Sequence, residues 1–90
     1  MFRVITCNTN GIRAAQRKGF FEWLAKQNAD VVCIQETKAQ EAQLRGDPQY
    51  YPEDYHCFYF DAVVRKGYSG VALYTRLKPD RLTRGHCWEE

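Results

Sequence analysis

No apolar run in this 90-residue chain approaches the roughly 20 residues that a membrane span requires. There is no internal repeat, no low-complexity tract and no linker-like stretch, so neither a solenoid nor a string of domains is expected. Net charge is low: 13 Lys and Arg against 11 Asp and Glu leave +2, which permits a nucleic-acid ligand without requiring one. C-x-x-C is absent too. The pairs His56-Cys57 and His86-Cys87 are poor zinc ligands, because adjacent strand residues point to opposite faces. The opening Met1-Phe2-Arg3-Val4 does not lead into a signal peptide, since Asn8 and Asn10 interrupt the apolar run too early. A cytoplasmic location with no membrane partner is the expectation. Reduced cysteines follow from it, with Cys7, Cys33 and Cys57 serving as small hydrophobes in strands.

What is present is a 44% apolar composition, enough for a packed core. A chain of this length is one small domain or part of a larger one, and buries only about 60% of its unfolded surface. The stretch Asp30-Val31-Val32-Cys33-Ile34-Gln35-Glu36-Thr37-Lys38 organises it. Its continuous apolar run has the character of a strand buried on both faces. Phe2 to Cys7 reads as an earlier strand with Val4 and Ile5 inside, closed by the turn residues Asn8-Thr9-Asn10-Gly11. Between them lies a helix broken at Lys18-Gly19, whose second part, Phe20 to Gln27, sets Phe20, Trp23, Leu24 and Gln27 on one face, with Phe20, Trp23 and Leu24 as core. Strand, helix, strand predicts a parallel pair with a right-handed crossover. Lys38 to Gly46 reads as a short surface helix and Asp47 to Asp54 as a loop. Tyr55 to Phe60 and Val71 to Tyr74 read as strands, flanking a turn over Val63 to Tyr68.

Parallel strands end on the same side of a sheet, where ligands of such sheets bind. Asn8 and Glu36 each follow a strand directly, so the topology brings an amide and a carboxylate to one edge. A carboxylate there is partly wet, rigidly held and suited to a hard divalent cation. On spacing alone, rival readings stay open. Glu36 could be a solvated strand end, Asn8 and Asn10 turn formers, and Arg13, Arg17 and Lys18 a charged helix face.

Three motifs in register resemble the N-terminal part of the exonuclease III family of DNA-repair nucleases and apurinic/apyrimidinic endonucleases. They are Asn8-Thr9-Asn10-Gly11-Ile12-Arg13-Ala14, Ile34-Gln35-Glu36-Thr37-Lys38 and Gly67-Tyr68-Ser69-Gly70-Val71-Ala72-Leu73. That family lies in the wider endonuclease/exonuclease/phosphatase superfamily. The resemblance implies an α/β (α+β) fold, a two-sheet β-sandwich flanked by helices in four layers of the DNase I type. Residues 1–90 would be the N-terminal part of one such domain. It implies Glu36 as the metal-binding glutamate, Asn8 as an active-site asparagine beside it, and Asn10 near the metal. Arg13, Ala14 and Lys18 fall where the family touches the DNA backbone. Lys38 falls close to the site, and Tyr68 and Gly70 on a loop that approaches DNA. The implied cofactor is Mg²⁺, with Mn²⁺ as a substitute, and the implied partner is double-stranded DNA with abasic sites. The full-length form would be a monomer acting in base excision repair.

Family members are much longer. Their tyrosine, Asp-x-Asn pair and C-terminal Asp-His have no counterpart among these residues. The expectation is therefore an incomplete piece, inactive alone, with sheet edges and an aromatic face that favour aggregation. A non-catalytic nucleic-acid or partner-binding module, and a superfamily phosphodiesterase with another substrate, are the alternatives.

Overall fold

The computed structural model describes residues 2–60 and 70–77. The chain runs β1 (Val4–Asn8), α1 (Ile12–Arg17), α2 (Phe20–Ala25), β2 (Val31–Gln35), α3 (Glu41–Leu44), a 3-10 turn (Pro48–Tyr50), β3 (His56–Phe60) and β4 (Val71–Thr75). The strands form one mixed sheet in the order β1-β2-β4-β3. β1 and β2 are parallel neighbours, with Asn8 opposite Gln35. β4 is antiparallel to both β2 and β3.

The register sorts the side chains into two faces. Ile5, Val32, Tyr74 and Cys57 form one cross-sheet row, and Cys7, Ile34, Ala72 and Tyr59 the next. This face carries the core: Val32, Ile34, Tyr59, Ala72 and Tyr74 are buried, together with Ile12, Leu24, Ala29 and Leu44 from the connections. The opposite face carries Thr6, Cys33, Leu73 and Phe58 in one row, and Asn8, Gln35, Val71 and Phe60 in the next. Here Cys33, Leu73, Phe58 and Phe60 are half-buried and Val71 is exposed. β2 is therefore fully buried on one face only, not on both. The second sheet of the expected sandwich is not among the described residues.

Two further expectations change. The first strand starts at Val4 rather than Phe2, and Val4 is 53% exposed, because β1 borders the described sheet on one side only. Trp23 is 45% exposed and outside the core, whereas Phe21 turns inward and meets Tyr50 edge to face. The turn over Val63 to Tyr68, with Tyr68 itself, and the chain from Lys78 onward lie outside the described residues.

Local chemistry explains the breaks. Gly19, at φ +92°, separates α1 from α2 in a left-handed conformation that other residues adopt at a cost. The Gln40 backbone N–H donates to Gln43 Oε1 at 2.8 Å and closes the first turn of α3. Asp47 Oδ1 accepts from the Gln49 N–H at 3.0 Å, capping the turn that carries Tyr50 inward. Asp30 ties three segments together. It accepts from the Arg3 N–H at 2.8 Å, its carbonyl accepts from the Arg76 N–H at 2.9 Å, and its carboxylate lies 3.6 Å from the Arg76 guanidinium.

Cys7, Cys33 and Cys57 are free and half-buried. Burial pushes the Cys57 thiol up to about 12 and raises that of Cys7, so both are poor thiolates at neutral pH. Leu44 is fully buried on a helix of four residues, which cannot be stable without tertiary packing. Leu44→Ala is expected to cost about 2–5 kcal/mol and to lower the urea midpoint accordingly. A loss below 1 kcal/mol would mean that α3 does not seal the core.

Candidate active site at the shared edge of β1 and β2

The site is built by two short loops that leave neighbouring parallel strands. Thr9 to Gly11 follow β1, and Glu36 to Lys38 follow β2. The loops are laced by backbone bonds: the Thr9 N–H to the Gln35 carbonyl at 3.0 Å, Gly11 to Glu36 at 2.8 Å, and Ile12 to Thr37 at 2.9 Å. Thr9 Oγ1 donates to the Gln35 and Glu36 carbonyls at 3.1 and 3.0 Å. From the other side, the Thr37 N–H donates to the Gly70 carbonyl at 3.0 Å.

On this frame four side chains meet. Asn8 Nδ2 donates to Glu36 Oε2 at 2.9 Å. The Asn10 backbone N–H donates to Asn8 Oδ1 at 2.9 Å, which fixes which end of the Asn8 amide faces the carboxylate. Lys38 Nζ donates to Asn10 Oδ1 at 2.5 Å and stands 4.0 Å from Glu36 Oε1. The side chains of Glu36 and Lys38 are about two-fifths exposed, so the pair is reachable from solvent.

The backbone here is strained. Asn10, Glu36 and Lys38 have φ of 48°, 54° and 52°; with Asn28 they are the non-glycine residues at positive φ among the described residues. Left-handed backbone costs an L-residue about 1–2 kcal/mol, and Glu and Lys lack the local side-chain bonding that helps Asn tolerate it. Three such residues around one carboxylate are stored strain of the kind found where function dictates geometry. Lys38→Gly is expected to stabilise the fold by about 0.5–1 kcal/mol, since glycine meets no penalty there. Unchanged or lowered stability in a thermal melt would show that the lysine's contacts outweigh the strain.

Two shallow depressions flank the site. One, of about 330 Å³, is lined by Gly11, Arg13, Ala14, Arg17 and Lys38. The other, of about 290 Å³, runs from Asn8 and Asn10 past Ala14 and Lys18 to Trp23. Arg13, Arg17 and Lys18 form no ion pair among the described residues. The structure thus brings together Asn8, Asn10, Glu36 and Lys38, and sets Arg13, Ala14 and Lys18 along the adjoining rim. Gly70 is buried, and its carbonyl supports the Glu36 loop. Sequence reading missed Thr9 and the buried Thr37 as the residues that hold this loop. Their only sequence signal is their place beside Asn8 and Glu36.

The donor set is oxygen-rich and hard: one carboxylate with two amides beside it. Among the described residues no group of three or more His, Cys, Asp or Glu gathers around a common point. Such a set fits an ion that keeps several waters and takes one or two carboxylates, and does not fit a closed zinc cage.

Residues 5–89 match the Endonuclease/Exonuclease/phosphatase family. An exodeoxyribonuclease of Bacillus subtilis is 43% identical over 98% of this chain and 33% of its own length. The DNA repair nuclease APEX1 of Danio rerio is 34% identical over 98% of the chain and 28% of its own length. An AP endonuclease structure from Archaeoglobus fulgidus superimposes with a TM-score of 0.78 at 27% identity, over 94% of this chain and 31% of that one. The chain spans about a third or less of the length of these relatives. With its sheet order, its Asn8–Glu36 edge and this match over nearly its whole length, the chain belongs to the endonuclease/exonuclease/phosphatase family.

Proposed function

We propose that these residues form the metal-holding edge of a DNA-repair phosphodiesterase of the exodeoxyribonuclease III and AP endonuclease type, acting in the cytoplasm on duplex DNA, including abasic sites. The observation that carries this reading is the 2.9 Å bond from Asn8 Nδ2 to Glu36 Oε2, made across two parallel strand ends with Lys38 beside it. The relatives' names, an exodeoxyribonuclease and a DNA repair nuclease, support it.

Glu36 would hold Mg²⁺, or Mn²⁺ in its place, through its carboxylate. A cation bound there supplies Lewis-acid polarisation of a phosphoryl oxygen and stabilises the leaving oxygen. Asn8 orients the Glu36 carboxylate by donating to Oε2, while Oε1 stands 4.0 Å from the Lys38 ammonium. Asn10 holds the Lys38 ammonium and adds its own oxygen to the ion's surroundings. Lys38, Arg13 and Lys18 neutralise phosphates without reading bases, as an enzyme acting in any sequence requires, with Ala14 beside the DNA. The matched relatives are about three times as long, so we place the water-activating groups in a further part of the same domain. There a second sheet would cover the Cys33, Leu73 and Phe58 face.

The test is incision of a duplex oligonucleotide with one abasic-site analogue, with Mg²⁺ and with EDTA, using the protein at its full natural length. Incision with Mg²⁺ and none with EDTA is expected. Metal-independent incision, or hydrolysis of a phosphate monoester only, would overturn the proposal.

A further inference from the structure

The depression between Asn8 and Trp23 has features that the phosphodiester site does not use. Trp23 is nearly half exposed, and its indole N–H has no partner among the described residues. Yet the ring is not loosely held. Phe20, which lines the same depression, lies 5.9 Å from it, tilted by 32°. Phe20 meets Phe21 edge to face at 5.1 Å, and Phe21 meets the buried Tyr50 at 5.7 Å. A ladder of rings thus runs from the core to the surface and ends in an exposed indole. Lys18 lines the same depression, its ammonium unpaired among the described residues, and Asn8 and Asn10 line the end nearest Glu36. The volume, about 290 Å³, is at the lower end of small-ligand pockets, suited to one nucleotide and not to a stacked duplex.

We propose that this depression is a subsite for one unpaired nucleotide of the DNA strand, its phosphate on Lys18 and its base on the face of Trp23. The inference rests on the functional reading above and deepens it, adding a preference for strands with an unpaired residue beside the cleaved phosphate. An aromatic face accepts any base, because every base has a π surface, and the neighbouring cation supplies the backbone contact. Lys18 here, with Arg13 and Arg17 in the neighbouring depression, forms no ion pair among the described residues, and this concentration of positive charge favours a polyanion over an apolar protein segment as the occupant.

The test is DNA binding in EDTA, so that no turnover is needed, with the protein at its full natural length. The probes are a fluorescent blunt duplex and the same duplex with two protruding unpaired nucleotides. Trp23→Ala is expected to weaken binding of the protruding end about tenfold, within the range of base–aromatic stacking, and that of the blunt duplex less than twofold. Trp23→Phe should restore most of the loss. Lys18→Gln should weaken both probes and lower the logarithmic salt slope by about one. An equal loss on both probes, or none on either, overturns the subsite, as does tryptophan emission that does not respond to DNA. Cleavage by Glu36→Gln, measured alongside, keeps the two claims separate. If it stays intact while Trp23→Ala retains its selective effect, the catalytic reading falls and the subsite stands.

Discussion

Glu36→Gln is expected to lower metal-dependent DNA cleavage by at least about 10²-fold while leaving the fold intact. In the proposed reading this carboxylate is the charge that would hold the cation, and cation stabilisation of a phosphoryl transition state is worth several kcal/mol, each 1.36 kcal/mol being tenfold in rate. Glutamine keeps the size of the side chain and an oxygen for the Asn8 Nδ2 donor. The Glu36 side chain is 41% exposed, so removing its charge should move stability by no more than about 0.5 kcal/mol. DNA affinity in the absence of metal should hold or rise, because one negative charge beside the phosphates is gone. Single-turnover rates, a thermal melt and binding in EDTA separate these effects. A loss of cleavage matched by a loss of stability would assign Glu36 to the scaffold instead.

The largest stability effect is expected at Tyr74. Its side chain is fully buried on β4, between Val32 of β2 and Cys57 of β3. The Tyr74 and Tyr59 hydroxyls are hydrogen-bonded to each other and lie 3.0 and 2.6 Å from the Tyr50 carbonyl, so their two protons are shared among three contacts, one hydroxyl donating to the carbonyl while the second proton is divided between that carbonyl and the partner hydroxyl. Tyr74→Ala should cost about 3–5 kcal/mol, as for other large aromatic truncations. Tyr74→Phe should cost nearer 1 kcal/mol, because Tyr59 still satisfies the Tyr50 carbonyl. Burial raises the phenols of Tyr59 and Tyr74 far above their ordinary value. The Tyr51 phenol is pushed up to about 12, first by burial and then by its 3.1 Å bond to the Glu41 carboxylate. In the unfolded chain these phenols titrate near 10. Above that pH the unfolded state binds fewer protons than the folded one, so stability falls as pH rises. The contribution of Tyr51 is complete below about pH 10 and is lost between pH 10 and 12. Denaturant midpoints across that window should fall, and fall less steeply in Tyr51→Phe. A flat profile would contradict the burial of this cluster.

The site was more legible in the sequence than the sheet. Asn8 and Glu36 each follow an apolar run, and the intervening helix forces those runs parallel, so their convergence followed from connectivity alone. The insertion of β4 between β2 and β3 is a non-local pairing, and the period of a strand does not name its neighbour. The Tyr50 segment read as a loop because its prolines and charges hide one inward ring. Trp23 read as core because helical spacing gives a face but not its width. α2 has only six residues and buries only Leu24 outright, which leaves the indole at the rim. The left-handed backbone at Glu36 and Lys38 had no local signal, since neither residue favours it. The neighbouring loop imposes it through Thr9, Gly11 and Ile12.

The central claim is that Glu36, aimed by Asn8, holds a divalent cation. Calorimetric titration of the full-length protein with Mg²⁺ and with Mn²⁺, beside Glu36→Gln and Asn8→Ala, tests it without reference to turnover. The expected result is saturable binding that Glu36→Gln abolishes and that Asn8→Ala weakens about 10–100-fold, as for other residues that orient a metal ligand. Binding of equal strength in the wild type and Glu36→Gln would contradict it.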